Sequence, residues 1–87
     1  MVAVTPRKIP ELGEWVRVDD IRAVVCGHFP DNAPWDFEVV YLEGEQAMTE
    51  PVVWRQGGWS FYYESPYGCF ADHYPVVAEY VRQLRAG

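Results

Sequence analysis

Two short stretches hold the residues best suited to chemistry. "CGHF" at 26–29 carries Cys26 and His28, and "CFADH" at 69–73 carries Cys69 and His73; these are the only cysteines and histidines in the 87-residue chain. A thiolate and an imidazole in each pair make a four-ligand zinc site conceivable. On a strand, Cys26 and His28 would share one face, because side chains alternate with a period of two. Cys69 and His73 would flank a helix start. The spacing is unusual, since structural zinc sites normally pair C-x2-4-C with H-x3-5-H. The competing reading makes both cysteines small buried hydrophobes and both histidines loop or helix-start residues. That reading is preferred, with no metal and no cofactor expected and Cys26, His28, Cys69 and His73 kept as the alternative set.

Other chemistries are less well supplied. Cys69 near a helix N-terminus with His73 as its base would suit a nucleophile, but no oxyanion-stabilising or orienting group is evident. The pairs Asp36/Glu38 and Glu43/Glu45 would serve as acid and base only if one member were buried. "QGG" at 56–58 is a turn and not a phosphate loop. A non-enzymatic protein is therefore expected.

Charge gives the lead. The net charge is −6, and between Arg22 and Arg55 no Lys or Arg occurs, while Asp31, Asp36, Glu38, Glu43, Glu45 and Glu50 all fall there. Direct nucleic-acid binding needs clustered cations and is disfavoured. An acidic segment steers toward basic partners. Fourteen aromatic residues (four Trp, six Tyr, four Phe) supply interface anchors as well as core. The expected function is a small acidic binding module. Its partner would be a larger protein or complex with a basic, nucleic-acid-binding surface, which it inhibits or modulates as phage-encoded inhibitors do. Asp31, Asp36, Glu38, Glu43 and Glu45 would present charge, and Trp35 and Tyr67 would anchor. The plainer reading is a solvated face that only aids solubility. A small barrel holding a peptide or small ligand in an aromatic groove is the further alternative. A homodimer would supplement the small core. No signal-peptide or membrane-span pattern is read in "MVAVTPRKIPEL", and two cysteines suit a reducing cytoplasm.

The elements that must position these residues form one α+β domain over 14–87 behind an extended lead-in, 1–13. "VVWRQGGWSFYY" predicts a hairpin turning at Gly57-Gly58, with Trp54 opposite Phe61 and Val52 opposite Tyr63. Val52, Trp54, Trp59, Phe61 and Tyr63 then share a core face, with Trp54, Trp59 and Phe61 buried; Trp35, Tyr62 and Tyr67 are the exposed candidates. "WDFEVVYLEG" alternates as a strand with Asp36 and Glu38 on a wet face. "EWVRVDDIRAVVCG" reads as two strands broken at Asp19-Asp20, or as a strand and a short helix capped there. "ADHYPVVAEYVRQLRAG" predicts a C-terminal helix capped by Asp72, with Tyr74, Val77, Val81 and Leu84 packing on the aromatic face of the sheet. The whole is a curled antiparallel sheet of four to five strands with one helix.

Overall fold

The computed structural model describes residues 9–30, 32–63, 69–71 and 74–87, and of Cys69 only the backbone. Asp31, Tyr67, Asp72 and His73 lie outside the described residues. Six strands are followed by a helix: β1 (Trp15–Val18), β2 (Ile21–His28), β3 (Phe37–Glu43), β4 (Gln46–Arg55), β5 (Gly58–Phe61), β6 (Cys69–Phe70) and α1 (Ala78–Ala86). The strands pair antiparallel in the order β1-β2-β3-β4-β5. The two-residue β6 joins β4 at Met48 and Thr49, on the edge that β5 also uses. This is the expected α+β architecture of one curled sheet and one C-terminal helix.

Local chemistry explains the turns. Asp19 and Asp20 both adopt positive φ, 47° and 68°, so β1 and β2 form a tight hairpin with Val18 opposite Ile21. Asp tolerates the left-handed region better than most residues, which selects the two-strand reading over a helix. Gln56 and Gly57 take the same conformation at φ 50° and 83°. The β4–β5 turn therefore sits one residue earlier than Gly57-Gly58. Trp54 pairs with Trp59 and Val52 with Phe61. The register differs from the expected one by two residues. An even shift preserves facing, so Val52, Trp59 and Phe61 remain on one side.

The sheet buries both faces. On the concave face Val18, Ala23, Val25, Phe37, Val39, Tyr41, Met48 and Val52 pack together, with Val16, Trp59 and Phe61 closing over them. The convex face holds Val24, Cys26, Val40, Ala47 and Ala71 against Val77, Val81 and Leu84, with Trp15 and Tyr80 at the margin. The helix thus packs opposite the aromatic face, contrary to the sequence expectation. The reason is steric. Val, Ala and Cys leave a shallow surface that a helix can approach, whereas the concave face is filled by its own rings. A 3-10 turn at Pro75–Val77 leads into α1; Pro fits there because a first-turn N–H has no partner to lose.

Sheet curvature almost closes the concave side. The Asp19 N–H donates to the Trp59 carbonyl at 3.1 Å, and the Phe61 N–H donates to Asp19 Oδ2 at 2.9 Å. One aspartate thereby ties the β1–β2 turn to β5. Trp54, by contrast, is 40% exposed and not buried as expected. The β3–β4 pairing ends at Phe37 and Val52, so Trp54 extends past β3 and, among the described residues, packs against the Trp59 ring, 4.8 Å away.

Candidate functional site: an acidic cleft at the mouth of the half-barrel

The expected site residues are dispersed. The Asp36 carboxylate accepts from the Trp54 N–H at 2.9 Å. Glu38 is half-buried beside Gly27, with Oε1 4.0 Å from Cys26 Sγ, and burial raises its carboxyl above the usual range. The expected wet face of β3 is therefore structural on both counts. Glu43 and Glu45 stand at the opposite end of β3, around the turn into β4. Glu45 is exposed, and its carbonyl accepts from Arg85 Nη1 at 3.1 Å. Trp35 is half-buried among rings: its centroid lies 5.4 Å from Phe29, 5.1 Å from Tyr62 and 6.4 Å from Tyr63. Its indole N–H is buried without a hydrogen-bond partner among the described residues. It is packed into the domain rather than displayed from it.

Cys26 and His28 diverge. The β2–β3 register shifts between Val25 and Gly27, so that Gly27 faces Glu38 and His28 faces Phe37. This bulge cancels the period-two rule that would have put Cys26 and His28 on one face. Cys26 enters the helix-side core, where burial, with the Glu38 charge adding to it, pushes the thiol pKa up to about 12. His28 Nε2 lies 2.8 Å from the Pro10 carbonyl. Among the described residues no group of three or more His, Cys, Asp or Glu side chains is arranged to hold a metal ion.

A different set converges instead. At one end of the concave face is an open cleft of about 460 Å³, lined by Asp19, Ile21, Tyr41, Leu42, Glu43, Glu50, Arg55, Ser60, Phe61 and Tyr63. The strands place these residues by alternation. Glu50 pairs with Val39, whose side chain belongs to the concave core, so the Glu50 carboxylate points inward too. It is only 3% exposed. The Tyr41 hydroxyl donates to Glu50 Oε2 at 2.9 Å, while Oε1 is buried with no hydrogen-bond partner among the described residues. Burial raises the Glu50 carboxyl above its usual range; the Tyr41 hydrogen bond opposes this, and the charges of Glu43 and Asp19 add to it. Tyr41 is itself pushed upward, first by burial and then by its bond to Glu50.

Glu50 thus feels the charges of two other carboxylates that line the same cleft. Among the described residues the one cation lining it is Arg55, which donates through Nη2 to the Tyr62 carbonyl at 3.1 Å. Aromatic walls come from Phe61 and Tyr63, with the Tyr41 and Phe61 rings 4.8 Å apart. Of the expected site residues among those described, only Glu43 lines this cleft. Glu50 had been counted for its charge alone. Its signal was present in "MTEPV": Met48, Glu50 and Val52 share one strand face, and a carboxylate between two core residues is an anomaly worth pursuing. No protein-family model, curated protein or solved structure matches the chain.

Proposed function

We propose that the chain is a non-enzymatic binding module that docks on a basic site of a larger protein, with the cleft as its contact. The observation carrying this reading is the convergence of Asp19, Glu43 and Glu50 with Tyr41, Phe61 and Tyr63 around one open concavity. Binding sites typically combine an apolar wall with a few convergent polar groups, and aromatic residues anchor protein interfaces. The sequence pointed to an acidic, aromatic surface. We retain that chemistry and move it from Trp35, Asp36 and Glu38 to the cleft. A phosphate-mimicking strip would need Asp36 and Glu38 free on a surface continuous with Glu43 and Glu45. The first two are engaged within the fold, so the module is proposed to grip a basic site locally and to inhibit or modulate its partner by occupying that site. A reducing, cytoplasmic setting suits Cys26, a buried free thiol. Among the described residues no helix is long and apolar enough to cross a membrane.

The test begins with affinity capture and continues with association kinetics of the captured partner across a salt series. Long-range attraction between charged surfaces is screened by salt. Glu43→Lys with Glu45→Lys, both exposed at the β3–β4 turn, should slow association by about tenfold or more at low salt and leave thermal stability unchanged. Association indifferent to salt and to both reversals would remove the electrostatic docking idea.

A further inference from the structure

One buried acceptor at the cleft wall, Glu50 Oε1, lacks a donor among the described residues. Glu50 brings a carboxylate to the cleft wall at 3% exposure. One of its oxygens is taken by the Tyr41 hydroxyl; the other is buried without a hydrogen-bond partner among the described residues. A buried acceptor without a donor is costly, and an ionised one more so. Glu43 stands exposed at the rim, close enough for its charge to act on Glu50. Ile21, Leu42 and Phe61 give the same cleft apolar lining.

We propose that this cleft seats the ammonium end of a lysine-like chain. The ammonium donates to Glu50 Oε1 and to the Glu43 carboxylate, while the methylene stem lies along Phe61, Leu42 and Ile21. An ammonium is a compact charge with three rotatable donors, and it suits acceptors drawn from separate side chains. A guanidinium is matched less well. Its forked geometry wants both oxygens of one carboxylate, and Tyr41 already occupies one oxygen of Glu50. The inference rests on the binding-module reading and names the chemistry that module recognises.

The experiment titrates the full chain with n-pentylammonium, n-pentylguanidinium, 1-pentanol and a capped Gly-Lys-Gly peptide, followed by amide chemical shifts in NMR. Pentylammonium at tens of millimolar should move the amides of residues 41–43, 50 and 60–63, with pentylguanidinium weaker and pentanol silent. Glu50→Gln should weaken the amine by about tenfold, since it removes a charge-assisted hydrogen bond. Glu43→Gln, on the exposed rim, provides a second reading should Glu50→Gln disturb folding, and should weaken the amine by about threefold. Peptide and amine moving the same amides would assign the ligand to a protein's basic side chain. Binding of the free amine without the peptide would keep the ammonium site and overturn the protein-docking reading. Pentanol binding as well as the amine, no cleft shifts with either cation, or affinity unchanged in both variants would overturn the ammonium site itself and leave docking by the exposed rim to stand or fall on its salt dependence.

Discussion

The two faces of the sheet solve the burial problem in different ways. On the convex face Val24, Val40 and Ala47 meet a helix that brings Val77, Val81 and Leu84, with Trp15 and Tyr80 at the margin; its polar members are few, Cys26, the buried Thr49 opposite Val40 and the half-buried Glu38. Among the described residues no helix covers the concave face. It is closed by curvature, by large rings, and by the Asp19 link to β5. Curvature covers the middle of that face and leaves its end open, and there Tyr41 and Glu50 sit. A layer completed by a second element can be covered along its length by aliphatic side chains. A layer that must close on itself keeps a mouth, and the residues at the mouth can be chosen for binding.

Breaking the concave core at a fully buried ring should have the largest effect. Phe37 is fully buried, and its ring lies 4.7 Å from that of Trp59. Phe37→Ala should cost about 3–5 kcal/mol, a large part of the stability of so small a domain. Trp54→Ala, at the exposed end of the same face, should cost only about 1 kcal/mol, since most of its cavity would fill with water. Urea unfolding of the pair measures the contrast; equal losses would mean that Trp54 is covered and the concave face longer than described.

Loss of the closing link comes next. Asp19→Asn retains positive-φ tolerance and a side-chain oxygen for the Phe61 N–H, whereas Asp19→Ala loses both. The alanine variant should fall by about 1–2 kcal/mol and the asparagine variant by less than half of that. Amide exchange along β5 should quicken in the alanine variant if the link holds the curl. Unchanged exchange would show that ring packing alone closes the face.

The buried acid sharpens the comparison through pH. Glu50 and Glu38 both have carboxyls raised by burial. In the range between their unfolded and folded titrations the folded chain binds more protons than the unfolded one, so their contribution to stability is present in acid and is lost as pH rises through the folded values. Glu50→Gln should therefore stabilise the domain at pH 8 and flatten the decline between acid and pH 8. Denaturation midpoints at several pH values give the answer, and a variant less stable than the parent at pH 8 would contradict it. The smallest effect concerns the convex face. In a Cys69→Ser background the Cys26 thiol, whose pKa is pushed up to about 12, should react with a disulfide reagent at least about a hundredfold more slowly than in denaturant. Rapid native reaction would mean that the helix does not seal that layer.

Much of the architecture was legible because it depends on local rules. Alternation in "FEVVY" located β3, paired aspartates marked the first turn, and the stripe of Val77, Val81 and Leu84 located the helix surface. The site was less legible. Carboxylate spacing suggested a charged strip, but backbone hydrogen bonding claimed Asp36 and burial claimed Glu38. The zinc alternative relied on a regular strand through Cys26 and His28, and one bulged residue reversed the facing of the second.

By itself the sequence determined most element types, leaving residues 20–26 open between strand and helix, together with the α+β class, the absence of a clustered cationic track between Arg22 and Arg55, and which β4 and β5 residues share a face. These follow from dihedral preferences, side-chain period and composition, each a property of neighbours along the chain. Tertiary structure decided which face receives the helix, how the β4–β5 turn sets its register, and that Glu50, Glu43 and Asp19 from three separate segments meet at one cleft. Those outcomes depend on the direction and extent of sheet curvature and on the fit of large rings against small side chains. They are long-range quantities, set by how the whole sheet closes, and no short stretch of sequence contains them.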